Sequence, residues 1–345
     1  MGIKVGVIGA SGYAGAELVR LLLRHPYAQL VAISSHQYTG QPLSNLYPGF
    51  QDVCDLVFVE SDEVIAQSDC IFASLPAGYS EPLAKKCIEA KKKFIDIGAD
   101  FRLADKDVYE KWYGHTYEDE ALHAKAVYGI SELHRDQIKE ADLIGNPGCY
   151  PTSIELGLYP LLKEKLIETS SIILDSKSGT TGAGKGLTEN THFPRTNESF
   201  APYKVGSHRH TPEIEQMLSE IAQEDIHVTF VPHLLPINRG IISTIYCQCK
   251  EDADVKVIHA LYEETYKDER FVRVLPLGNT ADLKFVKFSN YCDISVHADA
   301  HTNRLIIVSC IDNMVKGAAG QAIQNMNIMY QWEESSGLEA IAPSF

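Results

Sequence analysis

The 345-residue chain has no excess of cations: 31 Lys and Arg stand against 46 Asp and Glu, a net charge of −15. A nucleic-acid partner calls for clustered Lys and Arg, so that class is set aside. A small anionic substrate is not, because a few local cations outweigh the global field. No apolar run approaches the roughly 18 residues needed to span a bilayer. The opening MGIKVGVIGASGYAG lacks a basic region, an apolar stretch and a cleavage site, so a cytoplasmic protein is expected. The eight cysteines form no CxxC pair and no metal-like spacing with histidine. Reduced thiols and no metal site are therefore expected. No internal repeat and no low-complexity tract is visible.

What is present is the composition of a soluble globular protein, 45% hydrophobic and 22% charged, with length for about two domains. Residues 3–8 (IKVGVI) form an apolar run ended by glycines, a strand buried on both faces. Residues 14–24 carry helical periodicity that His25-Pro26 ends. Further strands are expected at 29–34, 70–75, 93–97 and 143–145, alternating with helices such as 80–91. That alternation predicts βαβ units and a doubly wound parallel sheet. After residue 148 the pattern changes. A helix is expected at 150–163, a strand at 172–176, and a long polar segment over 178–210 without regular structure. Thr211, Pro212 and Glu213 open a helix, with Thr211 as its cap. Strands at 227–235, 240–249, near 285–288, 291–297 and 304–311, with a helix at 254–268, predict a second, α+β domain whose sheet is mixed or antiparallel. A last helix, 314–330, is rich in small residues. The expected division is 1–148 plus 312–345 for the first domain and 149–311 for the second.

Gly9-Ala10-Ser11-Gly12-Tyr13-Ala14-Gly15 spells GxxGxxG between the first strand and the first helix. Glycines permit the tight turn, and the helix start offers free N–H groups to a pyrophosphate. NAD enzymes place an acid at the end of the second strand; here stand Ser34-Ser35-His36, which favours NADP.

In Asn146-Pro147-Gly148-Cys149-Tyr150-Pro151-Thr152 a cysteine sits where a strand gives way to a helix. Its thiolate is stabilised by the helix N-terminus, which marks it as a nucleophile; a buried structural thiol is the plainer alternative. A thiolate needs a proton-handling partner, and His208-Arg209-His210 is the best candidate among thirteen histidines. Arg209 adds a permanent cation for an anionic substrate. The hydroxyls, mobile amides and two lysines of 176–185 (SKSGTTGAGK) could cradle an anion.

This combination resembles the N-acetyl-γ-glutamyl-phosphate reductases of arginine biosynthesis. The matching stretches are GASGYAG, GNPGCYPT around Cys149, DSKSGTTGAGK at 175–185, HRHTPEIEQ at 208–216, CDISVHADAHTNRLIIVSCIDN at 292–313 and VKGAAGQAIQNMN at 315–327. They span almost the whole chain in order. The resemblance implies a Rossmann domain, an α+β domain with a dimerising sheet, NADPH as reductant and a homodimer or homotetramer. It implies Cys149 as nucleophile, His210 as acid/base and His208 close to the substrate. By position, Arg102, Ser178, Gly179 and Tyr203 would line the substrate site. Gly9, Ser11, Gly12, Tyr13, Ala14, Ser34, Ser35 and Asn313 would hold the cofactor. The family often has Arg near position 36, where this chain has His36. Rival readings are a related acyl-phosphate reductase (aspartate semialdehyde dehydrogenase, or the carrier-linked aminoadipyl reductase) and a non-catalytic NADP-binding sensor.

Overall fold

The computed structural model describes residues 2–251 and 254–344. The expected domain ends at Met1 and Phe345 lie outside the described residues. The chain forms two compact units. One runs up to Pro147 and takes in Ala318–Glu339; the other is Gly148–Gly317 with the segment from Ala340 onward. The chain thus re-enters the first unit at 318, six residues later than expected, and leaves it again after 339.

In the first unit, seven strands lie in the order β3-β2-β1-β4-β5-β7-β6, and every pairing is parallel. They are β1 Ile3–Ile8, β2 Ala28–Ser34, β3 Phe58–Val59, β4 Cys70–Ala73, β5 Lys93–Asp96, β6 Val127–Tyr128 and β7 Leu143–Gly145. The central strands are short and apolar: β4 is buried at every position, as a strand covered on both faces must be. Strand order reverses between β1 and β4. In such sheets ligands bind beyond the carboxyl ends of the strands at that reversal, which here means Gly9 and the turn after Ala73.

The C-terminal helix Gly320–Met329 belongs to the first unit and differs from expectation. Small residues were foreseen, but its buried face is also amide-rich: Gln321, Gln324, Asn325 and Asn327 are all buried. Burying an amide is tolerable only where it is hydrogen-bonded. Asn325 Nδ2 donates to Gly129 O at 2.7 Å and to Asn146 Oδ1 at 3.1 Å, and its Oδ1 accepts from Ser131 Oγ at 2.8 Å. Asn327 Oδ1 faces His25 Nε2 at 2.9 Å.

The second unit carries a mixed sheet ordered β12-β13-β14-β11-β8-β10-β9. Its strands are β8 Ile167–Gly179, β9 Ala201–Pro202, β10 Thr229–Leu235, β11 Ile241–Cys249, β12 Val272–Val274, β13 Cys292–Asp299 and β14 Arg304–Ile311. The pairs β8/β10 and β12/β13 are parallel, the rest antiparallel. Expected strands stand where foreseen with one exception. Residues 285–288 are not a strand: a 3₁₀ turn covers Leu283–Phe285, and Phe288 has a left-handed backbone, φ 62°. The polar segment is not wholly irregular either. It holds 3₁₀ turns at Thr180–Ala183 and Glu189–Thr191, a one-turn helix Phe193–Thr196 and β9. The expected helix from 314 begins as a π-turn over Val315–Ala319, with Gly317 N–H reaching Asp312 O at 2.9 Å.

Replacing Asn325 by Ala removes three buried hydrogen bonds, leaving Gln321 Nε2 as the remaining donor to Gly129 O and Ser131 Oγ. We expect Asn325→Ala to cost about 2–4 kcal/mol, read as a lower midpoint in urea unfolding with an unchanged slope.

Candidate active site

In the first unit the chain turns at the glycines between β1 and the helix that follows it. Gly9 has φ 81°, and a Cβ there would lie 2.3 Å from Ser74 O. A Cβ on Gly15 would lie 2.3 Å from Gly9 O. These two glycines serve the turn and the close approach of helix to strand. Gly12 differs, since a Cβ there meets only Gly9 O at 3.5 Å, so its outer side is open for another molecule. Gly12 is also the extended N-cap of the helix Tyr13–Leu22, α1, and no side chain caps that start. Open space before uncapped amides fits a pyrophosphate.

The serines at the end of β2 are buried and tied inward. Ser35 Oγ donates to Ser11 Oγ at 2.7 Å, and Ser34 Oγ lies 3.4 Å from Ser61 Oγ. They hold the turn, while His36 is exposed beside them. Beyond β4, Asp100 accepts the amides of Gly78 (2.7 Å) and Ser80 (2.8 Å), and Ser80 Oγ donates to Asp96 Oδ1 at 2.7 Å. Burial first, and Asp100 second, push the Asp96 carboxyl up to about 7. This pair of acids, which sequence reading missed, fixes the loop at the reversal of strand order.

Arg102 belongs to the first unit, whereas Ser178, Gly179, Tyr203 and Arg209 belong to the second. It is buried, with Nε donating to Asn146 O and Nη2 to Ile97 O, both at 2.8 Å. Two of its donors thus serve backbone rather than a substrate.

In the second unit, Cys149 is the first residue of the helix Cys149–Lys163, α6, and Gly148 is its extended cap, with no side chain capping. Of the eight thiols, seven are buried and Cys149 alone is partly open. Burial pushes Cys87 and Cys247 up to about 12, as inert core thiols. The stabilising dipole and amides at a helix start act on Cys149 alone among them. Gly317 lies against it: a Cβ there would fall 2.7 Å from Cys149 Cβ.

The helix Thr211–Ala222, α7, is capped by His210 rather than by Thr211, which is already its first turn. The His210 N–H donates to His208 Nδ1 at 3.1 Å. An imidazole accepting at Nδ1 carries its proton on Nε2, and that atom faces Tyr203 Oη at 3.3 Å. Tyr203 in turn donates to Tyr150 Oη at 3.2 Å, and Tyr150 to His233 O at 3.3 Å. Burial chiefly, then His210, Lys204 and Arg209, hold the His208 pKa down to about 2. His208 is therefore a neutral donor at the head of a hydroxyl chain. The ring of His210 stands 4.9 Å from it, centre to centre. Both tyrosines are pushed upward, mainly by burial, and the neighbouring Cys149 thiol adds to the effect. Thiol, hydroxyl chain and histidine pair are thus assembled in one unit.

In the 176–185 stretch, Ser176–Gly179 close β8 and the loop proper begins at Thr180. Thr180 and Thr181 hydroxyls donate to Ile237 O and Asn238 O, and Lys177 pairs with Asp175 at 2.7 Å. These groups have partners within the unit. Asn313, expected at the cofactor, lies in the second unit and braces this loop: Oδ1 accepts from Gly240 N at 2.8 Å, and Nδ2 donates to Thr181 Oγ1 at 3.0 Å. The cations beside the histidines are exposed Arg209 and Lys204; burial and Arg209 lower the latter's pKa. Lys204 was missed, although YKVGSHRH sets it one residue after Tyr203. Among the described residues no cluster of His, Cys, Asp and Glu is arranged to hold a metal, and no helix is long and apolar enough to cross a membrane.

Residues 4–141 match the semialdehyde dehydrogenase NAD binding domain, and residues 149–313 the semialdehyde dehydrogenase dimerisation domain. An N-acetyl-gamma-glutamyl-phosphate reductase of Clostridium beijerinckii is 57% identical over 343 residues, covering 99% of this chain and 100% of its own. The chain belongs to this reductase family. A Brachyspira hyodysenteriae relative of the same name is 54% identical, with the same coverage. As a family member the chain is an oxidoreductase of the semialdehyde dehydrogenase class, with a nicotinamide-dinucleotide domain. In fold it is similar to aspartate semialdehyde dehydrogenase II of Vibrio cholerae, with TM-score 0.73 and 14% identity over 96% of this chain and 99% of that one. The aspartate semialdehyde dehydrogenase of Candida albicans, solved with NADP, gives 0.71 and 17% over 95% and 98%. At such identities the likeness shows the fold alone.

Two outcomes follow from this geometry. Gly317→Ala should push on the Cys149 side chain, lowering kcat while NADPH affinity, measured by fluorescence titration, is unchanged. His208 is neutral when folded but titrates near 6.5 when unfolded, so below that pH the unfolded chain binds the extra proton. Its contribution to stability is full above about 6.5 and is lost as pH falls toward about 2, at roughly 1.4 kcal/mol per pH unit. His208→Phe should flatten the acid limb of an unfolding-versus-pH curve relative to the wild type.

Proposed function

We propose that the chain reduces N-acetyl-γ-glutamyl phosphate to N-acetylglutamate 5-semialdehyde with NADPH, releasing phosphate through a thioester on Cys149. The observation that carries the reading is the setting of that sulfur: the one partly open thiol of eight, at an uncapped helix start, in the unit that also holds His210.

His210 takes the Cys149 proton, and the sulfur attacks the acyl carbon; a C–S bond forms, the C–O bond to phosphate breaks and phosphate leaves. Bound NADPH supplies a hydride for the acyl carbon. The resulting thiohemiacetal oxygen collapses to the aldehyde and expels sulfur, which regains its proton from His210. Arg209, with Lys204 beside it, supplies positive charge for the anionic groups of the substrate. Tyr203, Ser178 and Gly179 form the substrate wall. His208 positions Tyr203 and the His210 backbone; its pKa keeps it from trading protons at neutral pH.

On the cofactor side, Gly9, Ser11, Gly12, Tyr13, Ala14 and Gly15 hold the pyrophosphate, and Ser34 and Ser35 keep that turn in shape. With no acid at the end of β2, exposed His36 meets the 2′-phosphate. The enzyme acts in the cytoplasm as a homodimer or homotetramer, built through its dimerisation domain.

The test is the phosphate-dependent reverse reaction with N-acetylglutamate semialdehyde, run with NADP and NAD side by side and with aspartate semialdehyde as control. Cys149→Ala should abolish turnover while NADPH still binds; retained turnover refutes the covalent route. His210→Asn should lower kcat by about 10²–10⁴-fold, and His208→Asn by far less.

A further inference from the structure

Glu213 is the third residue of α7, the place where a glutamate ordinarily reaches back to the N–H of its own helix cap. Here that N–H is already taken by His208 Nδ1. The Glu213 carboxyl is instead fully buried, and its Oε1 accepts the N–H of Gly148 at 2.7 Å. Gly148 is the cap of α6, directly before Cys149. One carboxyl thus ties the start of the nucleophile's helix to the start of the helix capped by His210. Nothing in the sequence distance of 65 residues announces the pairing.

We infer that Glu213 is a positioning residue that fixes the Cys149 sulfur relative to the His210 ring. The inference rests on reading Cys149 as nucleophile and His210 as its proton partner. The bond from the Gly148 amide to the Glu213 carboxyl carries the effect. It acts by holding Gly148, so that the thiol leaves the helix start in one direction. Ser or Asp at position 213 is too short to span to Gly148, whereas Gln keeps an oxygen at the same reach.

The experiment compares Glu213→Ala and Glu213→Gln in the full-length protein. Steady-state kinetics and the rate of Cys149 alkylation by iodoacetamide are followed between pH 6 and 9. Loss of the tether should lower kcat on the order of 100-fold in Glu213→Ala, with NADPH affinity unchanged and an altered pH dependence of alkylation. Glu213→Gln, which can still accept the Gly148 N–H, should restore kcat to within about tenfold of wild type. If Glu213→Ala does not fold, Gln alone decides. An alkylation profile like wild type with kcat within about tenfold supports the tether, and a collapse of both with intact fold overturns it. A folded Glu213→Ala with wild-type kcat and alkylation also overturns it. Wild-type enzyme is the control: its inactivation by alkylation at Cys149 keeps the nucleophile reading standing, so failure of the tether is distinguishable from failure of that reading.

Discussion

The start of α6 carries the chemistry, and it is held from several sides. Gly148, extended and lacking a side-chain cap, presents Cys149 as the first residue of the helix. The Glu213 carboxyl holds the Gly148 amide, and Gly317 closes against the Cys149 side chain with no room for a methyl group. An amide-rich helix start stabilises a thiolate only if the sulfur stays near it, so positional restraint and electrostatic activation are one constraint. The other thiols show the contrast: they lie in apolar surroundings that disfavour the anion.

The same region separates two histidines of similar sequence context. His208 spends Nδ1 on the His210 backbone and turns Nε2 toward the Tyr203–Tyr150 hydroxyl chain. Burial beside Lys204 and Arg209 makes its protonated form costly. His210 caps the helix with its backbone while its ring stands beside Tyr150. The two settings differ in which atoms the backbone has already claimed. That difference explains why Glu213 is available to Gly148.

Much of this was legible in the chain because it is local. Glycine punctuation and apolar runs mark β1, the glycine turn and α1, and a Gly-Cys step before a helical stretch marks the helix start that presents Cys149. The misses are long-range. Residues 285–288 have a strand's composition, yet the backbone turns there, with Val286 buried and Phe288 in a left-handed conformation. Thr211 and Pro212 have the composition of cap and first turn, but the first helical bond, from Ile214 N–H to His210 O, puts the cap at His210. The hydroxyls of Thr180 and Thr181 face nearby carbonyls brought in by the 237–238 turn, a pairing that composition does not encode. Buried amides on the last helix satisfy groups almost 200 residues away. Spacing rules see one helix face at a time; these interactions join two segments.

The most direct measurement mixes the enzyme with the acyl phosphate in the absence of NADPH and examines the quenched protein by mass spectrometry. The account predicts one acyl adduct, mapped to the peptide containing Cys149, that disappears when NADPH is added before quenching. An enzyme that turns over at its normal rate with no adduct on Cys149, or with the adduct on another residue, contradicts it.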